Sequence, residues 1–82
     1  MQRVTHIEPR HEYHLYVEFD DGLQGEVDLT DRLFGPVFEP LKDPEVFAQA
    51  FLDEFGVVCW PNGADLAPDG LHHRLREQSD AA

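Results

Sequence analysis

Residues 13–29 read Tyr-His-Leu-Tyr-Val-Glu-Phe-Asp-Asp-Gly-Leu-Gln-Gly-Glu-Val-Asp-Leu, and this stretch decides the fold. Apolar and polar side chains alternate with a period of two on both sides of the Asp-Gly pair at positions 21 and 22. A period of two places successive side chains on opposite faces of a strand, so each half is predicted to be a half-buried β-strand. Two such runs around a turn signal predict a β-hairpin.

The length of the turn decides which side chains share a face of this hairpin. A two-residue loop at Asp21–Gly22 would place Phe19 opposite Gln24 and mix the apolar face with the polar face. A three-residue loop over residues 20–22 keeps the faces consistent, and such loops combine a type I turn with a left-handed glycine, here Gly22. The predicted cross-strand pairs are Phe19 with Leu23, Val17 with Gly25, Leu15 with Val27, Tyr13 with Leu29, His14 with Asp28 and Tyr16 with Glu26.

The clearest helix signal lies in the middle of the chain. Asp43 and Pro44 suit an N-cap and a first helical residue, and apolar residues follow at helical spacing from Phe47 to Phe55. Gly56 suits the left-handed residue after a helix, so a helix is predicted over residues 44–54. The other predicted elements are a strand within residues 3–8, a strand over 57–60, a helix over 68–77 and a frayed tail over 78–82. Residues 1–77 are thus predicted to form a single α+β domain, in which a small antiparallel sheet packs on one phenylalanine-rich helix.

Composition excludes several classes of protein. The 82 residues include 6 basic and 17 acidic side chains, giving a formal net charge of −11. Direct binding to DNA or RNA requires basic side chains that neutralise phosphates, so we expect no nucleic-acid contact. No run of about 18 apolar residues exists to span a membrane. The first residues lack the apolar segment of a signal peptide and the chain has a single cysteine, so we expect a cytoplasmic protein.

The histidines give weak support for a metal site. His11 and His14 are three residues apart, and on a strand an odd spacing directs side chains to opposite faces. His72 and His73 are adjacent on a predicted helix and diverge by about 100°. We therefore interpret the histidines as solvated surface residues. The less favoured alternative is a metal site assembled across elements from His6, His14 and Asp28. We predict no cofactor.

Catalysis is also disfavoured by the sequence. Cys59 follows two valines and precedes Trp60, without a neighbouring basic group that would lower its pKa, so a structural thiol is favoured over a nucleophile. Asp20 and Asp21 flank the turn glycine, and turn chemistry explains them better than a catalytic carboxylate pair does. The expectation is a protein that is not an enzyme.

Two segments are candidate functional sites. The first is the loop over residues 60–69, with candidate ligand or interaction residues Trp60, Asn62, Asp65 and Asp69. Trp60 is favoured as a core residue, and Asp65, between Ala64 and Leu66, is expected to be partly buried and hydrogen-bonded, bracing the loop. The second is the proline-interrupted connection over residues 34–41, with candidate partner contacts Phe34, Val37 and Phe38.

Three strings in the chain resemble domain-of-unknown-function family 2442. They are Trp-Pro-Asn-Gly-Ala-Asp-Leu-Ala-Pro-Asp at residues 60–69, Gly-Pro-Val-Phe-Glu-Pro-Leu at residues 35–41, and Phe-Asp-Asp-Gly with Val-Asp-Leu in the hairpin. The resemblance implies a small bacterial α+β protein without agreed catalytic residues, which is suggested to act as an antitoxin in a two-protein cassette. In some relatives a DNA-reading helix-turn-helix domain follows this module, and we expect none in these 82 residues. His72 departs from the family, whose members tend to carry an aromatic residue there, so weaker docking of the last helix is expected.

The leading functional expectation is a non-catalytic module that binds a small basic protein partner. Its negative charge would steer association with a basic surface, and the 34–41 connection would furnish apolar contacts. The alternative is a sensory domain that binds a small molecule or a metal through the 60–69 loop. Homodimerisation is compatible with both, because self-pairing would cover an open strand edge.

Overall fold

The computed structural model describes residues 2–80 and begins with a three-stranded antiparallel sheet. Its strands are β1 (Val4–Pro9), β2 (His14–Phe19) and β3 (Gln24–Asp28), in the spatial order β1-β2-β3. The first strand falls where a strand is predicted within residues 3–8. Between β1 and β2 the chain passes through a tight turn over His11–Tyr13.

The three-residue hairpin loop is confirmed. Phe19 N donates to Leu23 O at 2.8 Å, Gly22 N donates to Phe19 O at 3.1 Å, and Gly22 has a φ of 93°. Leu29 N donates to Tyr13 O at 3.0 Å, which extends the predicted pairing beyond the two strands. The remaining pairs also match: His14 with Asp28, Leu15 with Val27, Tyr16 with Glu26, and Val17 with Gly25.

The helix predicted over residues 44–54 is wrong in length. Asp43 caps it as expected, accepting from Glu45 N at 3.0 Å, but α1 spans only Pro44–Phe47. The chain then turns, and Phe51 enters a strand instead of a third helical turn. A helix would have to bury the whole apolar stripe, whereas Phe47 is buried but Phe51 is 46% and Phe55 is 70% exposed.

The second half of the chain forms a second antiparallel sheet. Its strands are β4 (Phe51–Leu52), β5 (Val58–Cys59) and β6 (Asp65–Leu66), in the order β4-β5-β6. The predicted single sheet on one phenylalanine-rich helix is therefore corrected to two small sheets within an α+β fold. The physical reason is the turn at Asp53, whose Oδ1 accepts from Phe55 N at 2.8 Å and from Val57 N at 3.0 Å. Gly56 is left-handed as predicted, with a φ of 75°, but in this hairpin turn rather than after a helix.

The last helix, α2 (Pro68–Asp80), packs against β3 and is hydrogen-bonded to its last residue, Asp28. The side-chain amide of Gln78 forms the pair of hydrogen bonds that the main chain of a neighbouring strand would form. Its Oε1 accepts from Asp28 N at 2.9 Å, and its Nε2 donates to Asp28 O at 3.1 Å. These bonds hold the helix past its predicted end at residue 77. The helix thus extends into residues 78–80 of the predicted frayed tail, and residues 81–82 of that tail lie outside the described part of the chain.

His72, which led to the expectation that the last helix docks weakly, is buried. Its ring packs edge-on against Phe19 at a centroid distance of 4.8 Å, and its Nε2 lies 2.8 Å from Asp21 Oδ2. The side chain therefore takes the packing role of an aromatic ring and also ties α2 to the hairpin turn. These contacts argue against the weaker docking that the departure from the family suggested.

One hydrophobic core lies between the two sheets and α2. Trp60 lies within it, 2% exposed, and its indole Nε1 donates to Phe47 O at 2.9 Å, so the one polar atom of the ring is satisfied. No helix in residues 2–80 has the length and apolar character needed to cross a membrane. The other buried apolar residues are Val4, Leu15, Val17, Phe19, Val27, Leu29, Leu33, Leu41, Phe47, Val58, Ala64, Leu66, Leu71 and Leu75.

Candidate interaction surface

The connection after β3 displays apolar side chains to solvent. Phe34 is 63% exposed and Val37 is 44% exposed, whereas Phe38 is half-buried against the core. The Arg32 guanidinium lies 5.1 Å from the centroid of the Phe38 ring and covers it. Of the three predicted partner contacts, Phe34 and Val37 therefore present most surface, and Phe38 anchors the segment.

Asn62 joins this connection to the predicted 60–69 loop. Its Oδ1 accepts from Ala64 N at 3.1 Å, which closes the turn between β5 and β6. Its Nδ2 donates to Val37 O at 2.9 Å, so the tip of that hairpin is fixed to the apolar connection. Two segments that are separate candidates in the sequence thus form one surface, which we call the Phe34–Asn62 surface (residues 34–38 and 61–63).

The other candidates of the 60–69 loop lie away from this surface. Trp60 is in the core. Asp69 Oδ1 accepts from Gln2 N at 3.2 Å and so holds the start of the chain near the start of α2. Asp65 is exposed, so the prediction that it is partly buried is wrong. Ala64 and Leu66 on either side of it are buried, and alternation along a strand then directs Asp65 outward.

Three of the six basic side chains bind acceptors within the molecule. Arg10 Nη2 lies 3.0 Å from Glu8 Oε1, and Arg74 Nη1 lies 2.7 Å from Asp31 Oδ1. Arg3 Nη2 donates to the main-chain carbonyl of Glu54 at 2.8 Å. The acidic excess is therefore left to face solvent or a partner.

Several carboxyl groups are held in the ionised state. The hydrogen bond with His6 is the main cause of a lowered pKa at Glu8, and hydrogen bonds from Thr30 lower the pKa of Asp28. At Asp21 the pKa is lowered first by the Leu23 N–H and then by His72. Hydrogen bonds to the charged form favour ionisation, so these groups carry full negative charge at neutral pH.

The free thiol of Cys59 is held in its neutral form. Burial raises its pKa, and the negative charges of Asp53 and Asp65 raise it further. Because the thiolate is the reactive species, a raised pKa disfavours nucleophilic chemistry at this cysteine.

Four of the five histidines, His6, His14, His72 and His73, are paired singly with carboxylates rather than gathered together. His14 Nε2 lies 3.8 Å from Asp28 Oδ2, as the hairpin register predicts, and His6 Nε2 lies 2.9 Å from Glu8 Oε2. Within residues 2–80 there is no group of three or more histidine, cysteine or acidic side chains placed to hold a metal ion.

Two further surface features are absent from the predictions. A groove runs between α2 and the turn at residues 30–32, with Leu29, Leu66 and Leu71 below and Arg32 and Arg74 at its sides. Phe51 and Phe55 are also exposed, although the helical spacing predicts them as core residues. The Asp-Glu-Phe-Gly string at residues 53–56 is a turn signal that competes with the helical one and could have revealed them.

The fold and the surface define a small acidic α+β module with apolar side chains displayed on a braced connection. The chain belongs to DUF2442, a family described as proteins of unknown function, whose model matches residues 4–77. None of the curated proteins matches the chain.

A solved structure shares this fold. The crystal structure of a protein from Nitrosomonas europaea ATCC 19718, described as a putative DNA-binding protein, superposes with a TM-score of 0.84 at 29% identity. The match covers 98% of the present chain but 52% of the N. europaea chain. The present chain therefore spans about half the length of that protein.

Proposed function

We propose that this chain is a non-catalytic, cytoplasmic interaction module that binds a small basic protein partner, in the manner of an antitoxin in a two-protein cassette. The observation that carries the proposal is the Phe34–Asn62 surface, where Phe34 and Val37 are 63% and 44% exposed on a segment braced by Asn62. Exposed apolar residues grouped on a fixed backbone are typical of protein contact sites.

Charge supports a basic partner. The formal net charge is −11, and Arg3, Arg10 and Arg74 already bind acceptors within the molecule. An uncompensated negative field accelerates encounter with a positively charged protein and repels phosphates. We therefore propose that this chain does not itself contact DNA.

Ligand binding by the 60–69 loop is less well supported. Both ends of the Asn62 amide are used within the fold, on Ala64 and on Val37, and Trp60 is a core residue. The Asn62 amide, a candidate ligand-binding group of this loop, is thus engaged in holding the loop. The raised pKa of Cys59 likewise disfavours a nucleophilic enzyme.

The proposal is tested by affinity purification of the tagged chain from its own cells at low and at high salt, followed by mass spectrometry. We expect one small basic protein in near-equal amount, released at high salt because screening removes the electrostatic attraction. The recovered protein is then titrated against the wild type and a Phe34→Ser, Val37→Ser double variant. Loss of two apolar contacts predicts an affinity lower by at least about tenfold.

Phe55→Ser is the matched control, since Phe55 is 70% exposed in the turn at the opposite end of β5. It should leave the affinity of the recovered partner unchanged. Recovery of the tagged chain alone would contradict the proposal, and so would a partner whose affinity is insensitive to the double variant.

A further inference from the structure

A second apolar surface lies on the outward face of the second sheet. Phe51 pairs with Cys59, and Cys59 pairs with Asp65, so these three side chains form one row across the strands. Directly opposed residues of antiparallel strands share a face. The neighbouring row, Leu52, Val58 and Leu66, faces the core, which leaves Phe51 46% exposed on the outside.

Two carboxylates lie close to Cys59, that of Asp53 beside the row and that of Asp65 within it. Asp53 Oδ2 lies 3.9 Å from Cys59 Sγ, and Asp65 is the exposed partner of Cys59 on the edge strand β6. Both charges act on the thiol between them, since each contributes to its raised pKa after burial. The sheet face therefore combines an exposed aromatic ring with two negative charges.

We infer that the Phe51–Cys59–Asp65 face (the three-residue row with Asp53 at its side) is a docking surface for a cationic and apolar segment of a protein partner. An apolar side chain of that segment packs on Phe51, and its lysine or arginine side chains pair with Asp53 and Asp65. The basic character of this occupant rests on the proposed function.

Charge distinguishes this occupant from a second copy of the chain. A two-fold dimer through this face would bring the same patch of each copy together, including both pairs of carboxylates. Such an arrangement concentrates like charges on a molecule that already carries −11. A basic segment instead neutralises them.

The test uses a labelled synthetic peptide of alternating lysine and leucine, and a matched peptide of alternating glutamate and leucine. We expect fluorescence anisotropy to show binding of the lysine peptide alone. Phe51→Ser should weaken that binding by about fivefold or more and Asp65→Asn by about twofold, whereas Phe34→Ser, the matched exposed phenylalanine on the other surface, should not.

Cys59 provides an independent readout because it is the single cysteine of the chain and lies in the centre of the row. Alkylation of its thiol by iodoacetamide should be slowed by saturating lysine peptide and unaffected by the glutamate peptide. Phe51→Tyr retains the ring within the strand and should keep the wild-type affinity, which separates loss of contact from loss of fold.

Equal weakening by Phe34→Ser and Phe51→Ser would overturn the inference, as would unprotected Cys59 in the saturated complex. The peptide assay needs no cellular partner, so the two proposals fail separately. Peptide binding without recovery of a basic protein from cells would contradict the proposed function alone. Recovery of a basic protein whose affinity is unchanged by Phe34→Ser and by Phe51→Ser would contradict the assignment of both surfaces as binding sites.

Discussion

Glu12 and Tyr13 adopt left-handed backbone conformations, with φ of 60° and 62°, between the first two strands. An L-residue with a Cβ in this region costs roughly 1–2 kcal/mol. The surroundings hold the pair in place, since Tyr13 donates its hydroxyl hydrogen to Lys42 O and the Tyr13 ring packs edge-on against Phe47 at 5.7 Å. His14 and Thr30 contact the Glu12 carbonyl oxygen, which is a main-chain group that any substitution retains.

Replacing Glu12 with glycine should therefore stabilise the protein. Glycine removes the left-handed strain, and part of the gain is offset by the greater entropy of glycine in the unfolded chain. We expect the free energy of unfolding to rise by about 0.5–1 kcal/mol in urea titrations. Glu12→Ala, which keeps a Cβ, is the matched control and should gain nothing. An equal gain in both variants would show that charge at position 12, rather than backbone strain, is responsible.

Asp28 predicts how stability responds to acid. Its Oδ1 accepts from Thr30 N at 2.9 Å and from Thr30 Oγ1 at 2.6 Å, and these bonds lower its pKa from the ordinary 3.8. Because the folded pKa is depressed, the contribution of Asp28 to stability is present above pH 3.8 and is lost as the pH falls through the folded value. Asp28→Asn should be less stable than the wild type by only about 0.5 kcal/mol at neutral pH, because solvent screens a carboxylate that is 50% exposed, and the difference should narrow below pH 3.8.

Urea unfolding of the wild type and Asp28→Asn at several pH values measures that difference. Glu26→Gln is the control, because Glu26 is exposed on the same strand and its side chain makes no hydrogen bond or ion pair within residues 2–80. The free energy of unfolding of Glu26→Gln should equal that of the wild type at every pH. A constant gap between Asp28→Asn and the wild type down to strongly acid pH would contradict the linkage.

At the scale of elements, the sequence predicted the structure correctly where a single local pattern determined it. The hairpin register follows from matching apolar faces across a three-residue loop, and only one loop length satisfies that condition for Phe19 and Leu23. The helix over 44–54 failed because two rules conflicted there. Helical spacing of phenylalanines favoured a helix, whereas the Asp53–Gly56 turn and the β-branched residues after it favoured a hairpin, and packing of Val58 in the core decides between them.

Gly56 connects the two sheets and is the glycine least able to accept a side chain. Its carbonyl accepts from Val4 N at 3.1 Å, and a Cβ at this position would lie 2.2 Å from Arg3 Cγ and 3.0 Å from Val4 O. Its φ of 75° adds left-handed strain to that clash. Gly56→Ala should therefore cost about 2–4 kcal/mol, the sum of backbone strain and displacement of β1.

Gly22→Ala separates these two causes. Gly22 is also left-handed, with a φ of 93°, but a Cβ there meets nothing within 4 Å. Only the strain term remains, so thermal unfolding should show a loss of about 1–2 kcal/mol, smaller than for Gly56→Ala. Equal losses would mean that the contact between β1 and the β4–β5 turn contributes nothing to stability.

Sequence reasoning could identify one part of the Phe34–Asn62 surface but not the other. The exposed phenylalanine and valine of the connection could be proposed from the two prolines around them, which exclude regular structure. The link from Asn62 to Val37 joins residues 25 apart in the chain, and no local pattern reports such a contact. The exposure of Phe51 was not predicted, because the helical spacing of the phenylalanines concealed the β4–β5 hairpin to which Phe51 belongs.

For the molecule as a whole, the charge of −11 predicts a stability that rises with salt. A large net charge destabilises a compact state through self-repulsion, and raising NaCl from about 0.05 M to about 0.5 M screens that repulsion. Exposed ion pairs such as Arg10–Glu8 oppose the trend, but surface pairs contribute only about 0–1 kcal/mol. A net gain near 1 kcal/mol would appear as a rise in Tm of about 4–8 °C for a domain of this size.

Reducing the charge should remove the effect. Glu26→Lys and Asp65→Lys each replace a negative charge with a positive one at an exposed strand position, so together they change the net charge from −11 to −7. We expect this double variant to have a higher Tm than the wild type at low salt and a weaker dependence of Tm on NaCl. If the wild-type Tm instead falls with NaCl, local ion pairs outweigh long-range repulsion, and the negative field available to steer a basic partner is correspondingly smaller.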